Sequence, residues 1–349
     1  MKILVFLGSG EQAMKDTCSA EMNMTKYLAD AGNEVVVCVA TDVCDDLKNS
    51  ISAIEIIPSM KRGLNSGDIK RILAYDYDVV FASNVEYVRF ADYFAHEKGV
   101  KSVVQVLDIP EWRFKSKEDQ ARWGKLLTML TTVDVLVANT RETKRILIKL
   151  GFPAEKIKLI YLGIDPLLGD NAIDPKSDNS ICCVCRCVFH KTLDLGLYAV
   201  GCAGIDNQLK MVGSGEDASR LVQLAWMCGI NADFLGLISE KKKVETIRQS
   251  ILGIYPSLCP VIGGMFPLEA LACGKPCIVW DTQINHDLFR DYVEYAPVYD
   301  VKAFADKITL FVHSPSYSKE RGEKGKAWVL KNRTFITYAA ALTEVLSGG

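Results

Sequence analysis

The chain lacks an excess of charge of either sign, since Lys and Arg number 41 and Asp and Glu number 43 among its 349 residues. A global basic field that would attract nucleic acid is therefore absent, although a local basic patch would not show in these totals. The chain also lacks a run of about 18 apolar residues, the length that a membrane-spanning helix needs. A secretory signal is not evident, because the short apolar run Ile3–Leu7 is followed at once by Gly8 and is typical of a first strand.

The cysteines lack the two C-x-x-C pairs that many zinc sites use. Four of the twelve lie together, at Cys182, Cys183, Cys185 and Cys187. In a strand the last three would point to one face, so we interpret them as small buried thiols, with a metal site as the alternative. Twelve cysteines without a secretory signal favour a reducing, cytoplasmic setting, with peripheral attachment to a membrane as the alternative location.

Length and element order predict an α/β protein of two domains, and no internal sequence repeat is evident. The first strand is followed by a helix from about Glu21 to Ala31, which Gly32 ends, and by a strand at Val35–Val39. This strand-helix-strand unit is the start of a doubly wound sheet. The turn Gly8-Ser9-Gly10 lacks the third glycine of a dinucleotide fingerprint, which argues against a Rossmann oxidoreductase.

Polar residues follow several of the later strands in the first half. The strand Ser102–Leu107 ends at Asp108, and the carboxyl end of a parallel strand is where α/β folds keep their chemistry. Asp108 is therefore a candidate for contacting a bound ligand, and a turn residue before Pro110 is the alternative. Further elements are expected as strands at Asp78–Ser83, Asp134–Thr140 and Lys158–Asp165, with a helix at Arg141–Leu150.

Two cations stand five residues apart at the start of the second half. A strand is expected at Ile181–Val188, and Arg186 and Lys191 flank its exit. An anionic ligand needs counter-charge, which Arg and Lys supply where no metal does. A solvated loop is the alternative interpretation of such a pair.

The stretch Gly263–Trp280 combines two glycines, a short helix and a buried strand. Such an arrangement can hold an anionic ligand at the helix N-terminus, and an ordinary helix-to-strand connection is the alternative. Glu269 is expected in the first helical turn, where a carboxylate suits the helix dipole.

The final helix is expected as one segment at about Lys319–Leu346.

The run Gly264-Met265-Phe266-Pro267-Leu268-Glu269-Ala270, followed by Ala272-Cys273-Gly274-Lys275-Pro276, resembles the signature of the family 4 retaining glycosyltransferases. The resemblance implies the GT-B architecture, with two Rossmann-like doubly wound domains facing a central cleft and a C-terminal helix crossing back to domain one. Residues 1–168 would bind the acceptor, residues 169–325 would bind the nucleotide sugar, and residues 326–349 would form the returning helix.

The resemblance also implies roles for individual residues. Glu269 would bind the nucleotide ribose, Arg186 and Lys191 would neutralise the diphosphate, and Asp108 would face the reacting centre. The family's first Glu, eight residues before Glu269, is replaced here by Val261. The remaining expected donor-binding residues are Gly8, Gly10, Gly213, Gly215, Ile238, Gly264, Met265, Phe266 and Leu268.

The expected function is retaining transfer of a sugar from a nucleoside diphosphate sugar to an acceptor hydroxyl of a glycan, a lipid or another molecule. A UDP-sugar is the expected donor, a GDP-sugar the alternative, and no cofactor or metal is expected. Two relatives of this function stay open: a sugar-nucleotide-binding protein without catalysis, suggested by Val261, and a transferase acting on modified bases in DNA. The net charge of −2 does not favour nucleic acid as a partner.

Overall fold

The computed structural model describes residues 1–8, 20–41, 43, 45–58, 60, 63–107, 117–170, 177–258 and 264–348. They form two compact units, of which the first comprises Met1–Leu162 with Phe335–Gly349 and the second comprises Gly163–Thr334. The limits of these units differ from the expected domain limits at 168/169 and 325/326. Among the described residues, no helix is long and apolar enough to cross a bilayer.

The first unit contains a parallel sheet in the order β3-β2-β1-β4-β5-β6-β7. The central strand β1 is flanked on both sides, since Ile3 pairs with Val35 on β2 and with Val79 on β4. The strands are β1 (Lys2–Phe6), β2 (Glu34–Val39), β3 (Ala53–Ile56), β4 (Val79–Ala82), β5 (Lys101–Val106), β6 (Val135–Ala138) and β7 (Ile157–Leu159). The helices of this unit are α1 (Ala20–Asp30), α2 (Asp45–Ser50), α3 (Ser66–Leu73), α4 (Val88–Lys98), α5 (Lys117–Leu130), α6 (Arg141–Lys149) and the C-terminal α14 (Phe335–Ser347).

Helices cover both faces of this sheet, which explains why its central strands are continuous apolar runs. On one face, the ring of Phe6 lies 5.4 Å from the rings of both Phe90 and Phe94 on α4. Elsewhere in the unit α14 packs against α1, where the rings of Phe335 and Tyr27 stack at 5.8 Å. The last helix therefore returns to the first unit, as expected.

A buried polar network fastens α14 to the sheet. The Tyr338 hydroxyl donates to Gln105 Oε1 at 2.6 Å, and Gln105 Nε2 donates to Asn139 Oδ1 at 3.1 Å. Asn139 Nδ2 in turn donates to the carbonyl of Ile160 at 2.8 Å. Because Gln105 and Asn139 are fully buried, each broken link would leave a desolvated polar group without its bond.

The second unit repeats the architecture with a parallel sheet in the order β10-β9-β8-β11-β12-β13. In each sheet the first strand lies in the interior, and the strands that follow it in sequence lie first on one side of it and then on the other. The topological switch points therefore lie between β1 and β4 and between β8 and β11. The strands are β8 (Ile181–Val184), β9 (Leu209–Val212), β10 (Ala232–Gly236), β11 (Leu252–Tyr255), β12 (Cys277–Trp280) and β13 (Glu294–Ala296). The helices are α7 (Leu193–Ala203), α8 (Ala218–Met227), α9 (Glu240–Gln249), α10 (Met265–Ala272), α11 (Gln283–Phe289), α12 (Val301–His313) and α13 (Pro315–Asn332).

Two glycines bring α13 unusually close to α10. A Cβ on Gly322 would lie 2.0 Å from the carbonyl oxygen of Gly274, and one on Gly325 would lie 2.4 Å from a methyl group of Leu271. The long helix α13 therefore supports α10 through direct backbone approach, which fixes the position of the short helix on the sheet.

The expected single helix at Lys319–Leu346 is wrong, because two helices occupy that stretch and the chain leaves α13 at Arg333. The N–H of Ile164 donates to the carbonyl of Arg333 at 2.8 Å, and Ile164 pairs with Thr334 in an isolated parallel bridge. Arg333 is the C-cap of α13, with its N–H still bonded to the carbonyl of Val329, and the helix does not continue into the bridge at Thr334. The strand expected at Lys158–Asp165 is likewise shorter, since β7 ends at Leu159.

Candidate functional site

The exit of β8 is held against the exit of β9. Beyond β8, the N–H groups of Cys185 and Cys187 donate 2.9 Å hydrogen bonds to the carbonyls of Val212 and Ser214, at and just after the end of β9. A Cβ on Gly213 would lie 2.0 Å from the carbonyl oxygen of Cys185, and one on Gly215 would lie 2.1 Å from that of Cys187. The structure thus requires glycine at both positions for close backbone approach, while their contact with a donor stays a prediction.

Arg186 and Lys191 both lie in the segment that leaves β8. Arg186 is exposed, and Lys191 is half-buried at the end of the turn Phe189–Lys191. Burial raises the pKa of Cys185 to about 11, and the positive charges of Lys191 and Arg186 act on the same thiol in the opposite direction. Both cations therefore lie near Cys185 at the exit of β8.

The segment after Lys191 is tied to the chain that leaves β11. Thr192 has a left-handed backbone with φ +43°, and its hydroxyl donates to the carbonyl of Pro256. Trp280 Nε1 donates to the same carbonyl at 2.8 Å. A Cβ on Gly196 would lie 2.7 Å from Pro256 Cγ, so α7 can approach this point only through a glycine. The segment that follows Lys191 is consequently bonded to the chain leaving β11, at the switch point between β8 and β11.

The helix α10 begins at a glycine that the structure needs. Gly264 is the N-cap with φ +59°, and a Cβ there would lie 2.5 Å from Phe289 Cζ. The side chains of Phe266 and Leu268 are buried, so only their backbone could reach a ligand, whereas Met265 is half-buried. Residues 259–263, which include Val261 and Gly263, lie outside the described residues.

Glu269 lies one turn later than expected, because α10 begins at Met265. Its partner is a side chain rather than the helix dipole: Lys243 Nζ lies 2.8 Å from Glu269 Oε1 and 2.6 Å from Glu240 Oε1. Burial acts to lower the pKa of Lys243, but the charges of Glu269 and Glu240 and their hydrogen bonds raise it above its usual value. This group of one ammonium and two carboxylates was not predicted, since a sequence separation of 26 residues gives no local signal for the pair.

Ile238 lies in the turn between β10 and α9. The turn begins at Gly236, which has φ +64° and whose carbonyl accepts a 2.8 Å bond from the N–H of Gly213. Ser239 then caps α9 by accepting from the N–H of Lys242 at 3.3 Å. Ile238 is thereby placed at the carboxyl end of the sheet in the second unit, on the side of β10.

In the first unit Gly8 follows β1 at the other switch point. Its N–H donates to the hydroxyl of Ser83 at 2.9 Å, which links the exits of β1 and β4. A Cβ on Gly8 would lie 2.5 Å from Glu21 Oε2, so a carboxylate from the first turn of α1 packs directly over the glycine. Gly10 and Asp108, the other residues expected here, lie outside the described residues.

Three of the four clustered cysteines are buried as expected, whereas Cys185 is only partly buried. Cys182, Cys183 and Cys187 are each no more than 2% exposed, and burial raises the pKa of Cys182 to about 12. No group of His, Cys, Asp or Glu side chains suited to a metal ion occurs within the part of the chain that the structure describes.

Two Rossmann-like units define the class of two-domain α/β enzymes to which GT-B transferases belong, and two family models identify the family. The model "Glycosyl transferases group 1" matches residues 171–328, and "Glycosyltransferase Family 4" matches residues 22–167. The chain is therefore a glycosyltransferase of the family 4 type with the GT-B fold, and nucleotide-sugar binding comes with that family. A comparison with curated protein sequences gives no significant match.

Solved structures share this fold along the whole chain. Anabaena HepE in complex with UDP and glucose matches with a TM-score of 0.80 at 17% identity, covering 100% of both chains. Sucrose-phosphate synthase from Thermosynechococcus elongatus has a TM-score of 0.77 at 16% identity, covering 99% of this chain and 98% of that one. A glycosyltransferase from Rickettsia africae has a TM-score of 0.75 at 16% identity, with coverages of 99% and 97%. At these identities the likeness establishes the fold alone.

Proposed function

We propose that this glycosyltransferase moves a sugar from a UDP-sugar to an acceptor hydroxyl with retention of the anomeric configuration and without a metal ion. The observation that carries the proposal is the junction at the switch point of the second unit. There the carbonyl of Pro256 accepts from both Thr192 and Trp280, which joins the exits of β8, β11 and β12. The turn that contains Lys191 is thus connected to the chain that leaves β11.

Arg186 and Lys191 would neutralise the departing diphosphate. Negative charge grows on the β-phosphate as the glycosidic bond breaks, so cations aimed there stabilise the transition state more than the ground state. The amides at Gly264, Met265 and Phe266 begin a helix, and they would meet phosphate or donor sugar.

Glu269 would accept hydrogen bonds from the ribose hydroxyls. It is 8% exposed and ionically paired, so its carboxylate is already desolvated and oriented before a nucleotide arrives. Gly213, Gly215, Leu268 and Ile238 would shape the donor site around it.

In the first unit, Gly8, Gly10 and Asp108 would face the reacting sugar and the acceptor. The bond from Gly8 to Ser83 supports this, because it gathers two strand exits at the end of the sheet where such folds bind ligands. A UDP-sugar is preferred to a GDP-sugar because the fold relative HepE is described as a complex with UDP and with UDP-glucose.

The test is donor turnover by the full chain in the presence and absence of EDTA. UDP-glucose and GDP-mannose are compared as donors, with water and a panel of sugar and glycolipid hydroxyls as acceptors. Release of UDP that EDTA does not reduce, with an α-configured product in proton NMR before mutarotation, is the expected result. A β-configured product would contradict retention, loss of activity in EDTA would contradict metal independence, and UDP binding without any turnover would identify a non-catalytic relative.

A further inference from the structure

Lys243 lies between the carboxylates of Glu240 on α9 and Glu269 on α10, and it is itself largely buried. Its side chain is 16% exposed, compared with 11% for Glu269 and 37% for Glu240. Its single ammonium lies within 2.8 Å of an oxygen of each carboxylate. The contact to Glu240 is local, at i and i+3 on α9, whereas the contact to Glu269 crosses from α9 to α10.

The geometry points to Lys243 as a positioning residue for the nucleotide ribose, acting by holding the Glu269 carboxylate in a fixed orientation; this inference rests on the ribose role in the proposed function. A buried carboxylate needs a partner in place of the water it has lost. The side chain of Glu269 is 11% exposed, and Lys243 Nζ contacts its Oε1 at 2.8 Å. The bond to Oε1 also sets the orientation of the group, so that the ribose hydroxyls would donate to Oε2.

The alternative is that the ion pair only supports packing between α9 and α10. A structural role and a positioning role differ in what they do to ligand recognition. Loss of packing would weaken every nucleotide alike, whereas loss of an oriented carboxylate would weaken only nucleotides that carry ribose hydroxyls.

The experiment compares UDP with 2′,3′-dideoxy-UDP by titration calorimetry on the full chain. The wild type should bind UDP about tenfold more tightly than the analogue, because the hydroxyl bonds go to a charged group. Lys243→Met should reduce this preference to within about threefold by weakening UDP alone. The matched control is Lys242→Met, which removes a neighbouring cation of α9 that is 53% exposed and bonded to Glu245, and it should keep the wild-type preference.

A second variant keeps the test decisive if Lys243→Met does not fold. Glu240→Gln removes the competing carboxylate, so Lys243 stays with Glu269 and the preference for UDP should be kept or increased. An equal weakening of both nucleotides in Lys243→Met, an unchanged preference in that variant, or a lost preference in Glu240→Gln would overturn the positioning role. A wild type that binds UDP and the analogue equally would instead overturn the ribose role in the proposed function, and the inference with it.

Discussion

Replacing Gly264 by alanine tests whether the start of α10 requires a residue without a side chain. Two separate costs arise from the geometry. The left-handed backbone, with φ +59°, disfavours an L-residue by about 1–2 kcal/mol. The added Cβ would also lie 2.5 Å from Cζ of the buried ring of Phe289, and relieving such overpacking costs about 1–3 kcal/mol more.

Gly204 provides a matched control for the first cost. It has φ +62° at the carboxyl end of α7, and a Cβ there would meet no atom within 4 Å. Gly204→Ala should therefore lower stability by the backbone cost alone, whereas Gly264→Ala should lower it by both. Because α7 runs back from the strand exits, its carboxyl end lies away from the proposed donor site, and UDP affinity should change only in Gly264→Ala.

Thermal unfolding of the full chain and calorimetric titration with UDP measure the two effects. The steric part should lower the unfolding temperature by about 2–4 °C per kcal/mol beyond the shift in Gly204→Ala. Phe289→Leu removes the far end of the ring, so the double variant should be less destabilised than the sum of the single ones. Equal shifts in the two glycine variants, together with additivity with Phe289→Leu, would refute the packing argument.

Three further predictions concern the proposed donor and acceptor residues. Glu269→Gln should weaken UDP binding about ten- to a hundredfold, since a charged contact to ribose is worth roughly 1.5–3 kcal/mol; unchanged affinity in calorimetry would remove Glu269 from that role. Arg186→Ala and Lys191→Ala should each lower turnover by about 10²–10³, with strong non-additivity because both serve one charge. Wild-type rates in both variants would contradict the diphosphate clamp. Asp108→Ala should lower turnover while UDP affinity stays within about threefold, and full activity would make it a turn residue.

Local signals in the sequence correctly predict the end of α10 and the strand that follows it. Gly274 ends α10 in a left-handed conformation with φ +71°, and the strand Cys277–Trp280 follows as expected. In the first unit, Thr140 caps α6 by accepting from the N–H of Thr143 at 2.9 Å. These features depend on glycine and capping residues within a few positions of each other, so they can be predicted from the local sequence.

What the sequence did not predict depends on contacts between distant segments. The break at Arg333 contains neither Gly nor Pro and results from pairing with Ile164, which is far away in the chain. The ion pair between Glu269 and Lys243 could not be predicted either, because the pattern of the helix that contains Lys243 indicates only a local pair with Glu240. Tertiary contacts determine both the break at Arg333 and the partner of Glu269, and the periodicity of a sequence does not report such contacts.

Lys243 and the pair Arg186 and Lys191 differ in their place in the proposed donor site. Lys243 is matched by two carboxylates, so its charge serves to organise Glu269 rather than to attract a further anion. Cys185, which directly follows β8, is partly buried, and burial raises the pKa of its thiol to about 11. The thiol therefore adds no negative charge at pH 7 beside Arg186 and Lys191, whose charge the proposed function assigns to the diphosphate.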